Sequence, residues 1–261
     1  MLGSKPKGMV IQDRDRALLR ALGELRVIDR EQAKVVAGFT STTRVNARLL
    51  SLTQAGMLKR FFLGTRAGGA KALYSLSSKG AAYVGVRERG PQRRHNAALV
   101  GDLFVEHQLA VNDIYCAFKT QLIPGVSARG WRFFSEPLAP GIRLIPDAYL
   151  EFETFSGISS AFLELDLGSE SLKVWKEKVR NYLQYAVSES FTKEFSQLRF
   201  RVLVITHSER RMQSIRRAVG ETTEKIFWFA SLESINRSGL FAPLWLRPRG
   251  EDRLPLIKEP S

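Results

Sequence analysis

The stretch Ile145-Pro146-Asp147-Ala148-Tyr149-Leu150, followed by Phe162-Leu163-Glu164-Leu165-Asp166-Leu167-Gly168-Ser169-Glu170, decides how the chain is read. Apolar residues and turn signals place Asp147 where it closes one hairpin strand, just after Pro146, and Glu164 and Asp166 on the next. Because strand side chains alternate in direction, positions 164 and 166 point to one face. Three acids gathered there would repel one another unless a cation or protonation compensated, and hard carboxylate oxygens suit Mg²⁺ or Mn²⁺. The expected site is therefore Asp147, Glu164 and Asp166 holding a divalent metal that polarises a phosphodiester and activates water.

Working outward, the order of elements around this pair is α-β-β-β-α-β with an α-β extension. A helix over 96–122 carries Val100, Leu103, Phe104, His107, Val111, Ile114 and Phe118 along one broad face. Strands are expected over 131–135, 142–152 and 159–167, with Pro140-Gly141 and Ser156-Gly157 between them. A helix from Gly168-Ser169 to Ser188, a buried strand over 200–205, a helix over 208–219 and a strand over 226–229 follow. The residues after Arg247 are rich in proline and charge and read as a flexible tail over 247–261.

Charge is distributed unevenly. Of the formal +14, residues 1–94 supply 19 Lys and Arg against 6 Asp and Glu, and the remainder is nearly balanced. Such a surplus points to a polyanion partner for the first third of the chain. Leu18, Ala21, Leu22 and Leu25 fall at helical spacing after Asp13. Asp29 and Gln32 form a capping box for a second helix that Gly38 ends. Ser41 or Thr42 opens a third, with Val45, Leu49 and Leu52 inward and Thr43, Arg44 and Arg48 outward. A basic hairpin comes next, with Lys59, Arg60, Arg66 and Lys71, and a short helix over 77–84 closes the set. Three helices and a positively charged hairpin resemble a winged helix-turn-helix over residues 1–86, whose third helix suits a major groove. The DNA-contacting residues expected on this reading are Thr43, Arg44, Arg48, Lys59, Arg60, Arg66 and Lys71.

Residues 87–95 hold four arginines, a Gly-Pro pair and no apolar side chain, the composition of a linker. The second domain then runs over 96–246. A single cysteine, Cys116, excludes an internal disulfide and a Cys-rich zinc site. No apolar run is long enough for a membrane span, and the N-terminal MLGSKPKG lacks the apolar centre of a signal peptide. A cytoplasmic protein with no membrane partner is expected.

The second domain resembles the PD-(D/E)xK restriction-endonuclease-like fold, in which the acid of a Pro-Asp pair and the first acid of an E-x-K triplet hold the metal. Asp166 stands where that family has its lysine, and the resemblance implies a replacement from the next helix. Lys178 is the choice over Lys173 and Lys176. Glu164-Leu165-Asp166-Leu167-Gly168-Ser169-Glu170 with Lys178 and Tyr182, together with His107-Gln108-Leu109-Ala110-Val111-Asn112-Asp113, is similar to the signature of the replication-relaxation family. Its members are mobile-element proteins related to MobC-type plasmid relaxases. The resemblance implies strand nicking at an origin by a metal-activated water, in the company of relaxosome or replication proteins. Glu106, His107, Asp113, Glu170 and Tyr182 are possible accessory residues. A DNA-binding accessory or transcriptional regulator with a degenerate nuclease-like domain remains the alternative.

Overall fold

Leu18, Leu22 and Leu25 recur on one side of a helix, and in the computed structural model all three are buried on α1 (Asp13–Leu25). The structure describes residues 10–64, 69–89, 98–121 and 123–257, and for 98–102 the backbone alone. Arg66 and most of the arginine-rich linker lie outside the described residues. The protein is a mixed α and β fold whose chain divides into two compact units, Met1–Cys116 and Ala117–Ser261.

In the first unit α1 is followed by β1 (Ile28–Asp29), α2 (Arg30–Val36), α3 (Thr42–Gln54), β2 (Leu58–Gly64), β3 (Ala70–Leu76) and α4 (Ser78–Val84). The caps that start these helices were legible. Asp29 accepts from the Gln32 backbone N–H at 2.8 Å while Gln32 accepts from that of Asp29 at 3.3 Å, a reciprocal capping box. Ser41 caps α3, and Val45, Leu49 and Leu52 form its buried stripe. β3 lies between β1 and β2, all antiparallel, and the β2–β3 hairpin runs from Leu58 opposite Leu76 to Gly64 opposite Ala70. α4 crosses so close to the start of the hairpin that a Cβ on Gly80 would lie 2.1 Å from the Met57 carbonyl oxygen. Only glycine fits there.

α5 (Ala98–Thr120) is where the domain reading needs correction. Most of it belongs to the first unit, so the division falls at Cys116/Ala117 and not in the linker at 87–95. Val105 and Leu109 pack with Val27 and Leu73. Asn112, fully buried, donates to the Leu25 carbonyl at 3.2 Å and the Val27 carbonyl at 2.6 Å, and accepts from Gln108 at 3.0 Å. Gln32 reaches back to the Leu109 carbonyl (2.8 Å) and the Asp113 carboxylate (2.6 Å). Leu103 and Phe104, expected on the buried face, are exposed, because this helix turns Val105 and Leu109 inward instead. A helix this apolar leaves its inner face ambiguous from spacing alone.

The second unit holds a five-stranded sheet in the order β4-β5-β6-β7-β8, formed by β4 (Ser127–Phe133), β5 (Ala148–Thr154), β6 (Gly157–Asp166), β7 (Arg201–Thr206) and β8 (Phe227–Ser231). β4, β5 and β6 are antiparallel, whereas β6, β7 and β8 are parallel. The parallel pairs require crossovers. α6 (Leu172–Val187) and α7 (Glu189–Phe195) make the first and α8 (Glu209–Gly220) the second, and α9 (Leu232–Ser238) follows β8. One core joins Phe162, Val202 and Val204 of the sheet to Trp175, Val179 and Tyr182 of α6 and Met212 and Ile215 of α8.

The tail expected over 247–261 is also corrected as far as Ile257. Phe229 and Leu246 exchange backbone hydrogen bonds at 2.9 Å, Trp245 and Leu254 do the same at 3.0 and 2.9 Å, and Leu256 is buried. Arg216 binds the Arg247 carbonyl at 2.6 Å. Backbone pairing of this kind leaves no mark in composition, which is why a polar, proline-bearing stretch read as loose. Replacing Asn112 with alanine removes the buried donor to the Val27 carbonyl, the acceptor of the Gln108 amide and one of the two donors to the Leu25 carbonyl. The expected loss is about 2 kcal/mol from the first unit, measured as a lower urea midpoint with an unchanged m-value.

Candidate functional site

Asp147 directly precedes β5. Its N–H donates to the Leu163 carbonyl at 3.1 Å and its Oδ2 accepts from the Leu165 N–H at 2.7 Å, so main chain and side chain both clip it to β6. On β6, Glu164 and Asp166 point to the same face as the alternation requires, and both are 1% exposed. That face is covered by α6, which presents Trp175, Lys178 and Tyr182 at positions i, i+3 and i+7.

Each acid is met by its own set of donors. Glu164 accepts from Lys178 Nζ at 2.7 Å through Oε2 and from the Tyr182 hydroxyl at 2.6 Å through Oε1. Lys178 continues to Glu170 Oε1 at 2.8 Å, and its ammonium lies 5.1 Å from the centre of the Trp175 ring. Asp166 accepts four hydrogen bonds: the Gly168 N–H (2.6 Å) and Arg211 Nε (3.0 Å) at Oδ1, and Trp175 Nε1 (2.7 Å) and Arg211 Nη2 (2.7 Å) at Oδ2. The Arg211 contact is the bidentate fork that suits a carboxylate. Gly168, at φ +96°, makes the turn after β6, and a Cβ there would press into His207 at 2.9 Å.

Burial pushes the Glu164 carboxyl up, against the pull of Lys178 and with help from the Asp147 charge. Burial works against the Lys178 ammonium too, but Glu164 and Glu170 outweigh it and hold its pKa above the ordinary value. Burial also raises Tyr182, so its hydroxyl remains a donor. Asp166 goes the other way. Burial disfavours its charge, yet hydrogen bonds from Arg211, Trp175 and Gly168 prevail and its pKa is lowered.

Among the described residues the three acids are not gathered as one open carboxylate cluster. Asp166 is taken up by Arg211 and Trp175, while Glu164 faces an ammonium and a hydroxyl. Among the described residues no three His, Cys, Asp or Glu side chains are placed to hold a metal ion. Asp166 has all four acceptor sites taken, whereas Glu164 accepts one hydrogen bond at each oxygen. The choice of Lys178 over its neighbours does correspond to the geometry: Lys176 pairs with Glu221 at 2.7 Å, and Lys173 is exposed. Of the accessory residues, Glu170 and Tyr182 lie against this cluster. Asp113 is hydrogen-bonded to Gln32 in the first unit, where Glu106 and His107 are half-buried on α5. Arg211 was missed, since nothing in sequence links an arginine on α8 to an acid 45 residues earlier.

The first unit redistributes the expected DNA contacts. Thr43 and Arg44 are exposed at the start of α3, and Arg44 has no ion pair among the described residues. Arg60 is exposed with its guanidinium 4.8 Å from the Phe62 ring. Three others are committed internally. Arg48 binds both oxygens of buried Asp15 and the Val10 carbonyl, tying α3 to α1. Lys59 pairs with Glu88, and Lys71 with the capping Asp29. Periodicity set these side chains outward, but carboxylates distant in sequence claimed them. Between α3 and the hairpin lies a cleft of about 600 Å³ lined by Asn46, Leu50, Arg60, Phe62 and Tyr74, of which Asn46 had not been singled out.

The profile of the replication-relaxation family matches residues 19–197, more than half of the chain. The chain belongs to that family. The matched span contains Asp147, Glu164, Glu170, Lys178 and Tyr182 and stops short of Arg211. Neither a curated protein nor a solved structure matches the chain. No helix among the described residues is long and apolar enough to cross a membrane.

Asp166→Asn leaves Arg211 without its counter-charge in a buried setting, and the expected cost at pH 7 is about 3 kcal/mol. A carboxyl whose folded pKa is depressed stabilises above its unfolded pKa and loses that contribution as pH falls through the folded value. The gap between wild type and variant should accordingly narrow below about pH 4, as read by urea titrations at both pH values.

Proposed function

We propose that this protein is a DNA-binding factor in the replication or relaxation of a plasmid or other mobile element. The first unit acts as a winged helix, with α3 reading a groove and the β2–β3 hairpin as its wing, and the nuclease-like second unit serves as a scaffold without cleaving. The binding part is supported by the order of three helices and hairpin, the exposed Thr43 and Arg44, and the basic surplus of residues 1–94. One observation carries the non-cleaving part: Asp166 is saturated by four donors, and Glu164 is closed by Lys178 and Tyr182. Asp166 so engaged has no acceptor site left to offer a metal or a water, and both oxygens of Glu164 are already turned toward donors.

A metal-dependent nickase is the second reading, and a particular contact favours it. Lys178 bridges Glu164 and Glu170 with Asp147 close enough to raise Glu164, which is the grouping of acid, acid and lysine that such chemistry uses.

Supercoiled plasmid bearing the native origin, incubated with the full chain and Mg²⁺ or Mn²⁺, separates the two. Retarded migration without open circles is expected. Open circles that vanish with Glu164→Gln would overturn the scaffold reading in favour of the nickase. In the same binding assay Arg44→Ala should lower the slope of log affinity against log salt by about one, the signature of one lost phosphate contact. An unchanged slope would remove Arg44 from the interface.

A further inference from the structure

Four arginines of the second unit are partly or fully buried, and they fall into two kinds. Arg211 and Arg216 each face a carboxylate, Asp166 and Glu251. Arg201 and Arg247 face none among the described residues. Arg201, at the head of β7, donates to the Leu256 carbonyl, and Arg247 donates to the Glu224 carbonyl at 2.7 Å. Both guanidinium groups lie against the same ring, at 4.8 Å and 4.9 Å from the centre of Trp228. Arg199, exposed and two residues before Arg201, adds a third positive charge close enough to act on it.

Like charges brought together at a half-buried place repel one another and lose hydration, and a nearby carboxylate is the usual remedy. Here a carbonyl for each of the two and the electron-rich face of Trp228 are what compensate. Burial, then repulsion from Arg247 and Arg199, holds the Arg201 pKa below its ordinary value, and burial does the same at Arg247. The imbalance is held in place by rigid parts. Arg201 begins β7, a strand paired on both sides, and stands opposite Ala161 of β6, while Arg247 directly follows Leu246, which pairs with Phe229 of β8. A preorganised pair of planar, fork-shaped donors lacking an anion matches the oxygens of a phosphate.

We propose that Arg201 and Arg247, gathered about Trp228, form with the exposed Arg199, two residues before Arg201 in the chain, a phosphate-binding site that takes the sugar-phosphate backbone of DNA. The site rests on the DNA-binding reading of the whole chain and extends it to the second unit. Sequence gave no hint of it, because the charge of residues 95–261 is nearly balanced in total. It lies at the opposite end of the strands from the acids. Arg201 and Thr206, which pairs with Asp166, are five residues apart on β7, about 16 Å at the rise of a parallel strand. Backbone contacts of this type position a duplex and carry no base preference.

The test is the salt dependence of binding of a fluorescein-labelled duplex to the full chain. Arg199→Gln and Arg247→Gln should each lower the slope of log affinity against log salt by about one and weaken binding about fivefold to tenfold at about 0.1 M salt. Thermal unfolding of each variant is read alongside. Arg199 is exposed, so its variant should keep the wild-type midpoint, and it decides the matter if Arg247→Gln fails to fold. Wild-type slopes in folded variants would show that Arg201 and Arg247 only clamp the C-terminal segment, overturning the site. If Arg44→Ala lowers the slope while folded Arg199→Gln and Arg247→Gln keep that of wild type, the winged-helix reading stands and this one falls. A wild-type chain that binds no duplex overturns both.

Discussion

Strand β6 carries two buried carboxylates on one face, and the second unit is arranged to answer them. An ionised acid at 1% exposure is costly unless donors surround it. α6 supplies three at one helical stripe, Trp175, Lys178 and Tyr182, and α8 supplies Arg211. The same contacts bind the two crossover helices to the sheet, so polar satisfaction and chain topology are met together. The apolar core of Phe162, Val179, Val204 and Ile215 then packs around a framework whose register the ion pairs have fixed. Such pairs add less to net stability than their Coulomb attraction suggests, since desolvation offsets much of it. Their strength is in specifying which helix face meets the strand.

The first unit uses the same device on a smaller scale. Asp29 begins α2, receives Lys71 from the hairpin, and through Gln32 is linked to Asp113 on α5. Burial and the neighbouring Asp29 both push the Asp113 carboxyl up, against its bond to Gln32. With Asn112 holding the carbonyls of Leu25 and Val27, the turn between α1 and α2 is bound to a helix some 80 residues later. The segment His107–Asp113, which belongs to the family signature, thus has a structural use for three of its polar residues: Asn112 satisfies two buried carbonyls, Gln108 holds Asn112, and Asp113 holds Gln32.

Local chemistry made much of this legible. The Asp29–Gln32 box, the Ser41 cap, the stripe of Val45, Leu49 and Leu52, and the strand pair bearing Asp147, Glu164 and Asp166 all depend on residues within a turn or a strand of one another. Lys178 was singled out by the family resemblance alone, and it is the lysine of α6 that reaches Glu164. What could not be read was partnership over distance. Nothing at Arg48 announces Asp15, nothing at Asp166 announces Arg211, and the proline-rich stretch after Arg247 does not advertise that Leu246 and Leu254 pair through their backbones. The two acids of β6 could be read as sharing a face, but the donors that surround each of them could not.

That C-terminal return has a bearing on how the protein behaves at high concentration. A sheet ending in β8 would present the bare N–H and C=O groups of Phe229 to any passing strand, an invitation to pair between molecules. Leu246 occupies those groups, and Leu254 in turn covers Trp245. The opposite margin, β4, is protected differently, by a register break between Ala128 and Gly130 and by the charges of Arg129 and Arg132. The stretch over 246–254 thereby works as a guard for the edge of the sheet.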